Sequence, residues 1–263
     1  MDSLKQYRQT LIIKPIHDFP LVQSGDIISE LAIISIKDNG IQLADKDILV
    51  FAQKVISKSE NRMVNLSSVH CSETAIQLAE ETGKNPRLIE LILSESKGII
   101  RKRSGLIIAQ HQNGFICANA GIDHSNVEKP EGSDDDWVLL LPVDADKSAR
   151  KIQSEILKRT GKSIGVLIID SHGRAWRSGS VGITIGTASV PELVSKIGER
   201  DLFGKQLRGT VIGAADQLAA GAALVMGEAD EAIPVVHVRG FPYPLENSSL
   251  QDVFRPIEKD LFR

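Results

Sequence analysis

The stretch Ile164-Gly165-Val166-Leu167-Ile168-Ile169-Asp170-Ser171 decides the fold. The run over 164–169 is short and apolar, so it reads as a buried strand. Upstream, Asp144 or Asp146 caps a helix running to Arg159, and Gly161 closes it. The strand ends on Asp170, with the hydroxyl of Ser171 next in line. A carboxylate at the end of a rigid buried strand is well held and can ligate a hard cation such as Mg²⁺ or Mn²⁺. The plainer reading of such an aspartate is turn capping.

Working outward, Leu11–Pro15 reads as a short strand. Asp26 is expected to cap a helix over about Ile27–Lys37, ended by Gly40. The dense apolar run Asp47–Ile56 predicts a buried strand. Ser72–Glu81 is amphipathic and stops near Gly83. Asn85-Pro86 opens the next helix, which runs to about Ser94. Residues Gly105–His111 and Phe115–Ala118 flank Asn113-Gly114, a strong hairpin signal. The acidic stretch Pro130–Asp136 is expected to be an exposed insert. Trp137–Leu141 and Val181–Ile185 are further strands, Gly213–Met226 an Ala-rich helix that packs deeply, and Ile233–Val238 a closing strand. From Phe241 to Arg263 the periodicity is weak, which predicts a tail that packs on a partner or frays. Strands and helices mix without a strict βαβ rhythm, so the expected class is α+β.

At 263 residues the chain suits one or two intimately packed domains. Hydrophobic content of 42% and charged content of 25% are ordinary for a soluble globular protein. A net charge of −3 and 4% aromatics argue against nucleic acid, so anions must be held by local donors. Cys71 and Cys117 are too few for a disulfide framework, which fits a reducing cytoplasm. Cys117 lies in an apolar run with no base beside it and reads as a small buried hydrophobe. The N-terminus has no apolar core of a signal peptide, and no run approaches about 18 apolar residues, so no membrane span is expected.

Other residues able to do chemistry lie at a few places. Asp123 follows the hairpin in Ala118-Asn119-Ala120-Gly121-Ile122-Asp123-His124-Ser125-Asn126. The acidic Gly227-Glu228-Ala229-Asp230-Glu231 follows the Ala-rich helix and on its own reads as a solvated loop. His172 is the only histidine near the candidate site and at most supports its ligands. Basic residues cluster at Lys54, Lys58 and Arg62, at Arg101-Lys102-Arg103, and at Arg174 and Arg177 in a loop over residues 171–179. Arginine forks suit carboxylate or phosphate oxygens. There is no P-loop and no dinucleotide fingerprint; Gly182-Ile183-Thr184-Ile185-Gly186 is glycine-spaced but matches neither.

In this order the segments resemble the coenzyme F420-0 gamma-glutamyl ligase family. The matching pieces are Gln53-Lys54-Val55-Ile56-Ser57-Lys58-Ser59-Glu60, the Ala118–Asn126 stretch, Ile169-Asp170-Ser171-His172-Gly173-Arg174-Ala175-Trp176-Arg177, Asp201-Leu202-Phe203-Gly204, and Val225-Met226-Gly227-Glu228-Ala229-Asp230-Glu231. The likeness runs from about Leu11 to Gly240. Asn61 departs from it, standing where a glycine is usual, and Ser171 stands where Thr is common. The insert over 131–136 has no clear counterpart.

The resemblance implies a two-domain α+β fold forming an intertwined homodimer. Residues 1–96 plus 200–263 would form the nucleotide-binding and dimerisation domain, and 97–199 an inserted domain. It implies metal ligation by Asp123, Asp170, Ser171 and Glu228. Contacts to GTP would come from Phe19, Pro20, Leu21, Val22, Gln53, Lys54, Lys58, Asn126 and the run Met226, Gly227, Glu228, Ala229, Asp230, Glu231, Ala232 and Ile233. Arg174 and Arg177 are candidate contacts to the anionic acceptor. The implied reaction joins L-glutamate to coenzyme F420-0 at the expense of GTP, with Mg²⁺ or Mn²⁺ and K⁺ as candidate ions. Some members carry a flavin-reductase-like domain; none is expected in a chain ending at Arg263. The alternatives are the same chemistry on a folate, a metal-dependent phosphohydrolase, and a non-catalytic nucleotide sensor.

Overall fold

The computed structural model describes residues 10–127 and 136–261. Residues 130–135 of the expected acidic insert lie outside them, and Asp136 is exposed. In chain order the elements are β1 (Ile12–Pro15), α1 (Ile28–Asp38), β2 (Ile48–Ala52), α2 (Gln53–Ser59), β3 (Met63–Asn65), α3 (Glu73–Thr82), α4 (Pro86–Ser94), β4 (Ser96–Arg103), β5 (Leu106–His111), β6 (Ile116–Ala118), β7 (Trp137–Leu139), α5 (Ala145–Thr160), β8 (Gly165–Arg174), β9 (Arg177–Ala188), β10 (Leu193–Ser195), β11 (Val211–Gly213), α6 (Ala214–Met226) and β12 (Val235–Arg239). The architecture is mixed α+β.

Its centre is a five-stranded sheet in the order β1-β12-β2-β8-β9. Only β2 and β8 run parallel in it. Side chains alternate between its faces. Leu49, Phe51, Val166 and Ile168 pack with Ala32 and Ile36 of α1 and with Ala149, Ile152 and Ile156 of α5. Ile48, Val50, Leu167 and Ile169 pack with Leu218, Ala219 and Ala222 of α6 on the other face. Each large aliphatic side chain buried this way contributes roughly 1.5–3 kcal/mol. A third core joins α3 and α4 to β5 and β7 through Ala75, Leu78, Leu88, Ile89, Ile92, Ile107 and Val138. The parallel β2–β8 pair hydrogen-bonds segments that the sequence assigned to different domains, 1–96 and 97–199.

Local signals hold where side chains cap the backbone. Ser72 accepts from the Ala75 N–H, Asn85 from Arg87 with Pro86 in the first turn, and Asp144 from Lys147. Gly83 and Gly161 close their helices with φ 70° and 69°. The β5–β6 hairpin forms around Asn113-Gly114 as expected.

Several expectations are corrected. Asp26 does not cap α1: its carboxylate accepts from the Gln23 N–H at 2.7 Å, a local turn that competes with capping. The expected strand over Asp47–Ile56 stops at Ala52, and Val55 and Ile56 bury themselves from α2 instead. An unbroken apolar run suits both elements. The supposed loop over 171–179 is the far end of the β8–β9 hairpin, with Arg174 opposite Arg177. The chain beyond Phe241 packs on its own body. Leu250 is buried, and Ser249 Oγ donates to Asp146 at 2.8 Å. Asp146, which does not cap α5, also accepts from the Thr187 and Leu250 N–H groups.

Asn61, in place of the usual glycine, has φ 57°. Asparagine tolerates this left-handed turn after α2, so the departure costs little. The Gly182–Gly186 spacing serves packing. A Cβ at Gly182 would meet the Ala219 carbonyl of α6 at 2.7 Å, and one at Gly186 would meet Ala145 of α5 at 2.5 Å. An irregularity opposite Ile168 and Ile169 lets residues four apart face opposite helices.

Glu192, just past β9, is 1% exposed, and among the described residues neither carboxylate oxygen has a partner. Burial pushes its pKa up from 4.5 to about 8, helped by Asp216, Asp146 and Asp252. Between those values the folded state keeps a proton that the unfolded state releases. Stability therefore falls as pH rises through this window, by up to about 1.4 kcal/mol per pH unit. Glu192→Gln is expected to flatten that decline. Urea midpoints of both proteins at about pH 5 and about pH 8 measure it, and parallel declines would contradict it.

Candidate active site

Six segments from this scaffold meet at a cavity of about 640 Å³ beside the sheet. The chain after β1 supplies Phe19–Val22, and the junction of β2 with α2 supplies Gln53 and Lys54. Asp123 and residues 125–127 follow the hairpin, Asp170 and Ser171 come from β8, Ser180 from β9, and residues 226–234 from the end of α6 and the loop after it.

Asp123 owes its place to an unusual turn. Asn119, Ala120 and Gly121 have φ 51°, 53° and 70°, all left-handed. That conformation costs an alanine roughly 1–2 kcal/mol. A Cβ at Gly121 would lie 2.4 Å from Leu141 Cδ1, so only glycine fits there. The Asp123 backbone then pairs with Leu139 of β7. Its carboxylate accepts from Gln53 Nε2 at 2.6 Å and forms an ion pair with Lys54. Gln53 is itself held by Ser57 Oγ at 2.8 Å. Burial raises the pKa of Asp123; Lys54 opposes the rise and the nearby charge of Asp170 adds to it.

Asp170 stands where the buried part of β8 ends, its side chain 13% exposed. His172, two residues on and so on the same face, meets it at 2.9 Å. Ser171 Oγ donates to Glu228 at 2.6 Å, and Asn126 Nδ2 donates to the Ala229 carbonyl at 3.1 Å. These bonds tie the loop after α6 to the opposite wall. Glu231 folds back over Gly227 and accepts from the Ala229 N–H at 2.8 Å. Backbone donors at Ala229, Glu231 and Glu228 hold its pKa below the usual range. Cys117 is buried; burial first, then Asp170, pushes its thiol up to about 12, so it stays protonated and inert.

Among the described residues, no three acidic, histidine or cysteine side chains close on one point. The oxygen donors share a cavity, but Lys54 engages Asp123, and Ser171 engages Glu228. Their chemistry still fits a hard divalent cation. All are oxygens, and the repulsion between Asp123 and Asp170 is what an interposed cation would relieve.

A family model described as F420-0:Gamma-glutamyl ligase matches residues 17–240, a span that contains every residue lining the cavity. The chain belongs to this family. It is 42% identical over 250 residues to a Methanothermobacter thermautotrophicus protein named Coenzyme F420:L-glutamate ligase, covering 94% of this chain and 97% of that one. Proteins of the same name from Methanocaldococcus jannaschii and Methanopyrus kandleri are 42% identical over 246 residues and 39% identical over 258. Those alignments cover 94% of both chains in the first case, and 97% of this chain and 98% of the other in the second.

In this gamma-glutamyl ligase family member, Phe19–Val22, Gln53, Lys54, Lys58, Asn126, residues 226–233, Asp123, Asp170 and Ser171 all line the one cavity. Arg174 and Arg177 do not line it. They are exposed at the hairpin tip, where Arg174 Nη1 donates to the Gly179 carbonyl at 3.1 Å. Ser125 and Ser180 also line the cavity and were missed by sequence reasoning. Ser125 sits in the quoted Asp123 stretch and could have been found there. Ser180 carries no sequence signal; only the β8–β9 pairing brings it in. Among the described residues, no helix is long and apolar enough to cross a membrane.

Proposed function

We propose that this chain is a GTP-dependent ligase joining L-glutamate to coenzyme F420-0 through an acyl phosphate. The observation that carries the reading is the convergence on one cavity of acidic oxygens at Asp123, Asp170 and Glu228 with the cations Lys54 and Lys58. The description of its family supplies the acceptor, and the names of its relatives the amino acid.

In this reading the acceptor carboxylate attacks the γ-phosphorus of GTP, and GDP leaves. The glutamate amine attacks the acyl carbon, loses a proton and expels phosphate. A bound divalent cation supplies charge neutralisation for the phosphoryl transfer. Asp123, Asp170, Ser171 and Glu228 would hold it, Lys54 giving way at Asp123. Lys58 meets a phosphate through its point charge, and the apolar Phe19, Val22 and Met226 exclude water from the nucleotide. K⁺ is a further candidate ion, and Arg174 and Arg177 are candidate contacts to the acceptor in an intertwined homodimer. In support of that dimer, the chain between β10 and β11 exposes Leu202 and Phe203 at 94% and 92%. A second glutamate, γ-linked to the first, would follow by the same steps.

Hydroxylamine tests the intermediate. Added in place of glutamate, it should capture an acyl hydroxamate of the acceptor in a GTP-dependent manner. GTP hydrolysis without hydroxamate would instead favour a phosphohydrolase. Lys58→Ala is expected to raise the KM for GTP by about tenfold with a smaller change in kcat, the loss of one charge-assisted contact. An unchanged KM would remove Lys58 from the phosphate site.

A further inference from the structure

His172 lies beside Asp170 but is not among the residues lining the cavity. Its side chain is 6% exposed. The Nε2 atom lies 2.9 Å from Asp170 Oδ2. A carboxylate oxygen accepts, so Nε2 is the donor of this pair. Nδ1 is buried and has no partner among the described residues, so no second bond sets the ring's orientation. Packing sets it. The ring lies against Phe115 with centroids 5.3 Å apart, and Phe115 stacks on His111 at 4.8 Å, nearly parallel.

We propose that His172 is a positioning residue, which holds one oxygen of Asp170 from behind so that the other is presented to a divalent cation in the cavity. This rests on the reading of Asp170 as a metal ligand. A carboxylate on a strand end can rotate about its last bond; a donor fixed by aromatic packing removes that freedom before the cation arrives. Partners of this kind behind a metal ligand typically change metal affinity by about 10–100-fold.

The test is Mn²⁺ binding to the full chain without nucleotide, read from the electron paramagnetic resonance of the free ion, with thermal melting in EDTA alongside. The variants are Asp170→Asn, His172→Phe, His172→Asn and His172→Gln. Phe keeps the ring packing without the donor. Asn is too short to reach Asp170, and it carries the comparison if the Phe variant does not fold. The Gln amide reaches as far as Nε2. Expected are near-complete loss of binding in Asp170→Asn, and binding weaker by about 10–100-fold in His172→Phe and His172→Asn at little change in melting. His172→Gln should restore binding to within a few-fold of the parent. Parental affinity in both His172→Phe and His172→Asn, with binding lost in Asp170→Asn, would overturn the positioning role and leave the metal reading standing. Parental affinity in Asp170→Asn would overturn both. Equal losses in all three His172 variants, together with lowered melting temperatures, would mark the ring as structural and also overturn the proposal.

Discussion

Asp170→Asn is expected to lower glutamate transfer by about three orders of magnitude while the melting temperature hardly moves. The substitution keeps the size and shape of the side chain. The amide oxygen can still accept from His172, and β8 stays paired with β2 and β9 on both sides. What is lost is one negative charge on the wall of the cavity. A cation that neutralises developing phosphate charge is worth several kcal/mol to the transition state, and each 1.4 kcal/mol is about tenfold in rate. The effect should therefore appear in turnover rather than in folding. Near-normal turnover in this variant would remove Asp170 from the ligand set. A large fall in melting temperature would mean instead that its charge is structural.

Gly186→Val should have the largest effect on the fold, lowering the free energy of unfolding by about 3 kcal/mol or more. The ideal Cβ at Gly186 lies 2.5–2.6 Å from the carbonyl carbon, the oxygen and the Cβ of Ala145. That neighbour is largely backbone at the start of α5, which Asp144 caps and Asp146 ties to Thr187 and the chain near Leu250. It cannot swing aside as a long side chain would. Either β9 or α5 must shift, and β9 is the strand that pairs with Asp170 and Ser171. Gly173→Ala is the control: nothing lies within 4 Å of its Cβ, and it should be nearly neutral. Urea denaturation of the two variants separates close packing from the general cost of replacing glycine. Equal midpoints for both would contradict the packing account.

The pattern of what was legible follows from range. Asn85-Pro86, Asp144 and Gly161 act on backbone groups within a few residues, and each marks the helix end that the sequence predicts. The buried strand over 164–169 announces itself because both its faces meet helices, which forces a continuous apolar run. The same logic fails at Val55 and Ile56, where an equally apolar stretch belongs to a short helix. It fails again for β4, whose residues 97–103 are half-buried or exposed and whose pairing with β5 leaves no apolar mark. The chain beyond Phe241 is held by Ser249, Leu250 and Phe254 to partners at Asp146 and Gly114, more than a hundred residues away, so no local pattern encodes it.

The cavity is the extreme case. Its polar wall is drawn from Gln53, Lys54 and Lys58, from Asp123, Ser125 and Asn126, from Asp170 and Ser171, and from residues 226–233; alone, the first group reads as part of a strand, the aspartates as turn caps and residues 227–231 as a solvated loop. Family motifs, rather than periodicity, carried the expectation that they belong together. Arg174 and Arg177 show the limit of inference from charge: their guanidinium groups are well suited to anions, yet in one chain the hairpin carries them outside the cavity.

The most direct test of the central claim is mass spectrometry of coenzyme F420-0 after incubation with the purified protein, L-glutamate, GTP and Mn²⁺. The expected result is an increase in acceptor mass by one or more glutamate residues, absent without GTP and abolished by EDTA. An unchanged acceptor, with GTP still hydrolysed under the same conditions, would contradict it.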